Sequence, residues 1–148
     1  MARKIRLTIF SLLAAGTICF IFYNSCQSGE ASNAASGWVA DFLRPLLNRN
    51  GWLDDKTYHM LIRKLAHFTE FGLLGIWLGS IAANVLWCRK WLYAIGAAVL
   101  TACTDEIIQS FTGRTNSIVD VGIDSTGALC GIAAVMILVA LIAKNRIE

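Results

Sequence analysis

The chain has 148 residues, of which 56% are hydrophobic and only 16% charged, with a formal net charge of +3. Soluble domains carry about 25% charged residues; the deficit, with the apolar residues gathered in long blocks and a mean hydropathy of +0.57, excludes an ordinary soluble domain and makes the lipid bilayer the first partner. The charge is mild and no basic run is interleaved with aromatics, so no nucleic-acid partner is expected, and the length allows one compact helical domain over residues 1–148.

The first apolar block covers residues 5–23 and follows Arg3, Lys4 and Arg6. A cleavable signal peptide is the rival reading, but its apolar region runs to about 7–15 residues, so an uncleaved helix is expected. A polar segment, residues 24–33, comes next. Trp38, Val39, Phe42, Leu43, Leu46 and Leu47 then form an apolar stripe at helical spacing, too short to span, which predicts an interfacial amphipathic helix in the first outer loop. Pro45 distorts this helix or marks its end, and Trp52 and Tyr58 suit the headgroup region.

A second spanning block covers residues 65–87 and is entered from a helical turn near Asp54 and Asp55, either of which can cap its start. The third covers residues 91–111 and the fourth residues 118–143. The predicted fold is therefore an all-α membrane protein, a bundle of four transmembrane helices plus the interfacial helix. Arg3, Lys4, Arg6, Arg89, Lys90, Lys144 and Arg146 fall on one side of this topology, which by the positive-inside rule places both termini in the cytoplasm. Cys19, Cys26, Cys88, Cys103 and Cys130 form no Cys-x-x-Cys pair, so no zinc or redox motif is visible and they read as small packing residues.

Ionisable residues within the spans are the main functional signal. His67 and Glu70 lie in the first turns of the second span, Asp105, Glu106 and Gln109 in the last turns of the third, and Asp120 and Asp124 in the first turns of the fourth. Three helices thus supply polar groups at one depth, in the outer half of the membrane, and the first helix supplies almost none. Arg63, His67 and Glu70 share a face, as do Asp120 and Asp124, whose face continues through Gly127 and Gly131. That Gly-x-x-x-Gly spacing, repeated at Gly75 and Gly79, lets helices approach closely. One carboxylate at mid-bilayer costs about 2.5–3.5 kcal/mol, so five must be partnered, hydrated, protonated or bound to a cation.

Each group has a functional and a structural reading. His67 and Glu70 are candidate catalytic acid/base residues, or two metal ligands, or a hydrogen-bonded clamp between helices. Asp105, Glu106, Asp120 and Asp124 are candidate metal ligands whose hard oxygens suit a divalent cation, Mg²⁺, Mn²⁺ or Ca²⁺, or a network neutralised by Arg63 and Arg114. Arg63, Gln109 and Arg114 are candidate ligand-binding residues, arginine offering a bidentate grip on phosphate or carboxylate. Lys64 reads as a snorkelling headgroup anchor.

The stretch Arg63-Lys64-Leu65-Ala66-His67-Phe68-Thr69-Glu70-Phe71-Gly72-Leu73-Leu74-Gly75 resembles the central motif of VanZ-like membrane proteins. So do Asp105-Glu106-Ile107-Ile108-Gln109-Ser110-Phe111, then Gly113-Arg114, then Asp120, Asp124 and Gly127, while Ser25-Cys26-Gln27 resembles that family's Ser-x-Gln element. The order is kept over most of the chain; Gly113 stands where the family often has proline. The resemblance implies a bacterial plasma-membrane protein of a family named for teicoplanin resistance, with no reaction attached. Three functions stay open on these grounds. One is binding of a lipid-linked or cell-wall ligand at the outer leaflet. Another is a cation-dependent hydrolase or transferase on a phosphate-bearing lipid or wall precursor. The third is an accessory subunit, with the glycine spacings serving a homo-oligomer.

Overall fold

The computed structural model describes residues 1–86, 88–113 and 117–145, with the backbone alone at residues 30, 31, 33 and 35. The helices are α1 (Ala2–Ser25), α2 (Gly29–Leu47), α3 (Asp55–Asn84), α4 (Lys90–Phe111) and α5 (Ile118–Lys144), and there is no strand among the described residues. Four of them, α1, α3, α4 and α5, are long and apolar enough to cross a membrane. The chain is thus the four-span helical membrane bundle that its apolar blocks predict, with α2 as the additional helix.

The centre is α3, which contacts every other helix and packs most extensively on α5. Its 30 residues extend about 45 Å at 1.5 Å per residue, well beyond a hydrocarbon core of about 30 Å. The excess is the N-terminal third, which lies outside the apolar block because it is amphipathic rather than uniformly apolar; it begins at the helical turn that the sequence places near Asp54 and Asp55. Asp54 caps this end by accepting the Thr57 amide hydrogen bond at 3.1 Å, and the Thr57 side chain, with this amide second, holds the Asp54 carboxyl below its ordinary pKa. At the other end Arg3 and Arg6 of α1 donate to the main-chain and side-chain oxygens of Asn84, at 2.6 and 3.0 Å. Cations at a helix C-terminus complement its dipole and its unpaired carbonyls. The helix stops there, although Val85 and Leu86 continue the apolar run; residue 87, where the second block ends, lies outside the described residues.

The amphipathic helix α2 starts at Gly29, nine residues before Trp38. It folds back on the protruding third of α3. Ala40, Tyr58 and Ile62 form a small buried core, flanked by Leu43 and Leu53. The Tyr58 hydroxyl donates to the Ala40 carbonyl at 2.9 Å, so Tyr58 is a core residue and not a headgroup aromatic. Arg44 lies over the Tyr58 ring, 5.3 Å from its centroid, and binds Asp55 at 2.6 Å; this bond raises the arginine's pKa. The Asn48 side chain closes the turn by bonding both the amide and the carbonyl of Leu53, and Gly51 takes a φ of 63° that glycine adopts without strain. Pro45 lies inside α2, which ends two residues later. The stripe of Trp38, Phe42 and Leu46 faces away from the bundle and is about three-quarters exposed, as a helix lying on lipid requires.

The core among the spans is built largely from small residues. On α4 the buried stripe runs Ala94, Ala98, Thr101, Ala102, then Asp105, Glu106 and Gln109. One face therefore packs apolar at the Lys90 end and becomes polar at the Phe111 end. On α5 the buried face starts polar at Asp124 and continues through Gly127, Ala128, Gly131 and Ile132. These antiparallel gradients bring the polar ends together. The two glycine spacings, read from sequence as letting helices approach closely within the bundle or alternatively as serving self-association, are used within the chain: Gly75 meets the Ala128 backbone, and Gly131 meets Gly72 and Ile76.

Candidate functional site

The site forms where the C-terminal ends of α1 and α4 meet the N-terminal half of α3 and the start of α5. Asp105 is its buried centre, with no exposed surface. Burying a carboxylate is tolerable only when donors replace its water. Ser25 Oγ donates to Asp105 Oδ1 at 2.5 Å, and Gln109 Nε2 donates to Oδ2 at 2.6 Å. Charge-assisted bonds of this length are roughly twice as strong as neutral ones. Gln109 follows Asp105 by one helical turn and so reaches the same side. Thr112 then donates to the Ser25 carbonyl at 3.2 Å, tying the last turn of α1 to the end of α4.

His67 of α3 stands between two helices. Its Nδ1 is 3.9 Å from Asp105 Oδ2 and 3.7 Å from Asp124 Oδ1. Asp124 is 1% exposed, yet neither of its oxygens accepts a hydrogen bond among the described residues. His67, Asp105 and Asp124 each offer one ligand atom, and these atoms lie within 4.8 Å of one another.

Above this cluster is a cavity of about 230 Å³, lined by Arg63, Lys64, His67, Glu106, Gln109, Asp120 and Asp124 among others. Lys64 forms an ion pair with Asp120; the lysine read as a headgroup anchor is the partner of a site carboxylate. Glu106 Oε2 accepts the Ser117 amide at 2.9 Å, just before α5 begins. It thereby fixes the start of the helix that carries Asp120 and Asp124.

Of the four carboxylates read as one ligand set, the structure thus groups Asp105 and Asp124 with His67, and gives Glu106 and Asp120 other partners. Glu70 does not line the cavity; it accepts from Asn24 of α1 at 3.4 Å. Arg63 lines this cavity and also a larger one of about 470 Å³ beside α2, with Ser36, Lys56, His59 and Met60. Arg114 lies outside the described residues. The first helix contributes more than the charge pattern indicates, because Ser25 and Asn24 carry no charge. The Ser-x-Gln element was the available signal for Ser25.

A family model described as VanZ/LLP1 matches residues 10–140, which include every residue of this site. The chain belongs to the VanZ/LLP1 family. No curated protein and no solved structure matches it. In this VanZ-family protein the motif residues of three helices, with Ser25 from a fourth, meet at one end of the bundle. The arrangement can accept an anion at Arg63, move a proton at His67, or hold a cation among His67, Asp105 and Asp124.

Proposed function

We propose that the cavity binds the anionic part of a lipid-linked or cell-wall component at the outer leaflet of the bacterial plasma membrane, and that this binding lowers susceptibility to lipoglycopeptides such as teicoplanin. The observation that carries the reading is the cavity itself: it lies among spanning helices and is lined by Arg63 and Lys64 beside His67, Gln109 and the carboxylates. Lys64 adds an ammonium with donors to spare beyond the one turned to Asp120. The exposed apolar face of α2 is the adjacent lipid anchor. Family membership supports the phenotype, since the family takes its name from a teicoplanin-resistance protein.

A phosphate held by arginine makes charge-assisted hydrogen bonds worth about 1.5–3 kcal/mol, or roughly 10- to 100-fold in affinity. Arg63→Ala is therefore expected to weaken binding of a phosphorylated polyprenyl lipid at least tenfold, measured by native mass spectrometry in detergent, while an uncharged prenol binds equally poorly to both proteins. Unchanged affinity in the variant refutes the reading.

The outer-leaflet placement follows from charge. Arg3, Lys4, Arg6, Arg89, Lys90 and Lys144 cluster at the helix ends opposite the site, whereas the basic residues on the site side are more dilute and mixed with Asp41, Asp54 and Asp55; compact basic clusters beside short loops favour the cytoplasmic side. Cys26, beside the site, and Cys88, at the opposite end, are both exposed. An impermeant thiol reagent applied to intact spheroplasts should label Cys26 and spare Cys88; the reverse pattern puts the cavity in the cytoplasmic half.

A second reading, a hydrolase or transferase acting on a phosphate-bearing lipid or wall precursor, is favoured by His67 standing beside two buried carboxylates and opening on the cavity, the setting of a general acid or base. Release of product from such a lipid by the purified protein would establish it, and binding without turnover would reject it.

A further inference from the structure

We propose that His67, Asp105 and Asp124 bind one divalent transition-metal cation, Zn²⁺ or Mn²⁺. The geometry is the first ground. Two ligands of one such ion, each about 2.1 Å from it, stand roughly 3 to 4 Å apart. The His67 nitrogen is 3.7 and 3.9 Å from the two carboxylate oxygens, already at that separation without a hydrogen bond between them. Three helices deliver the three ligands, so the cluster is set by the tertiary fold and not by local sequence.

The second ground is Asp124. Its side chain lines the cavity and is buried to 99%, yet both of its oxygens go without a hydrogen bond. Leaving a buried carboxylate without donors costs several kcal/mol, and Asp105, on the neighbouring helix, shows that this chain can supply donors to such a group. A cation is the partner that answers two idle oxygens facing a neighbouring imidazole and a second carboxylate.

The third ground is support around the ligands. Ser25 and Gln109 fix both oxygens of Asp105. Ligating carboxylates are commonly held in this way by a surrounding layer of donors. The donor set also selects the ion. An imidazole nitrogen with two carboxylates suits Zn²⁺ or Mn²⁺ better than Mg²⁺ or Ca²⁺, which favour oxygen alone. Three protein ligands leave a coordination position open toward the cavity. The site does not depend on what the cavity binds.

The test uses the full chain without an affinity tag, purified in detergent, stripped with chelator and titrated with ZnCl₂ or MnCl₂. The wild type is expected to take up about one equivalent, measured by equilibrium dialysis with elemental analysis, and to melt at a higher temperature when loaded. Asp124→Asn and His67→Gln should each weaken uptake at least tenfold and lose the thermal shift, whereas His59→Gln should retain both. Ser25→Ala should weaken uptake about 10-fold through Asp105. The chelator-stripped Asp124→Asn protein should be no less stable than the stripped wild type, since the substituted group is a buried carboxyl with no hydrogen-bond partner. Absence of saturable uptake of both ions by the wild type overturns the proposal, as does undiminished uptake by Asp124→Asn. So does a stripped Asp124→Asn protein that melts lower while the wild type ignores metal, which would make Asp124 a clamp for His67.

Discussion

Gly131→Ala is expected to destabilise the bundle by about 1–3 kcal/mol, the usual range for overpacking a tight contact, and Gly131→Leu to prevent accumulation of the folded protein. A Cβ at position 131 would overlap the Gly72 carbonyl oxygen and stand 2.8 Å from the Ile76 amide nitrogen. Both obstacles are backbone, so no rotamer change relieves them; α3 and α5 would have to separate. The same holds from the other side, where a Cβ on Gly75 would overlap Ala128 and one on Gly127 would overlap Phe68. In lipid the apolar surfaces of two helices gain little from each other that lipid does not offer, so close packing carries their association. A separation of α3 from α5 also moves His67 away from Asp124, and the site fails with the fold. Gly96→Ala is the control, because nothing lies within 4 Å of a Cβ there and alanine is the better helix former by about 1 kcal/mol. Thermal melting in detergent should show a fall for Gly131→Ala and no fall for Gly96→Ala. Equal melting temperatures would mean that the close approach does not hold α3 to α5.

The parts of the fold legible in the sequence are those that lipid dictates. A spanning helix must be apolar over most of its length because every residue outside the protein contact meets hydrocarbon, so all four spans could be read as runs. Where a helix leaves the bilayer this pressure vanishes. The first third of α3 and the first nine residues of α2 contain polar and small residues in no continuous run, and their helicity is set by contacts such as Tyr58 against Ala40 that no local window displays. The C-terminal end of α3 is fixed in the same nonlocal way, by Arg3 and Arg6 reaching Asn84. For the site, a carboxylate in an apolar stretch is conspicuous on energetic grounds, and Asp105, Glu106, Asp120 and Asp124 could be found from that alone. Which carboxylate takes which partner could not. Lys64 is 56 residues from Asp120 and Ser25 is 80 from Asp105. A serine at a helix end costs lipid little, so nothing in the composition marked Ser25 as half of a buried hydrogen bond.

That buried bond and its twin from Gln109 support the second large effect. Gln109→Leu is expected to cost about 2–3 kcal/mol, the upper part of the range for losing a hydrogen bond to a charged group, because it strips Asp105 Oδ2 of its 2.6 Å donor and leaves a fully buried carboxylate with less to replace its hydration. Breaking one partner of a buried polar pair hurts more than removing both. Asp105→Leu introduced into the Gln109→Leu background should therefore recover part of the loss, since it removes the charge that the first substitution stranded, though the Ser25 hydroxyl then loses its acceptor. The coupling between the two positions, read from a double-mutant cycle of unfolding in detergent, is expected at 1 kcal/mol or more, within the range for residues sharing one hydrogen-bond network. Ser25→Ala should behave as Gln109→Leu does, and combined with it should cost more than the sum of the two, because the carboxylate then loses the donors on both of its oxygens seen among the described residues. Strict additivity among the three positions would mean that Asp105 draws its stabilisation from elsewhere, and the Ser25–Asp105–Gln109 network would then hold neither the helix ends together nor the carboxylate in its orientation toward His67.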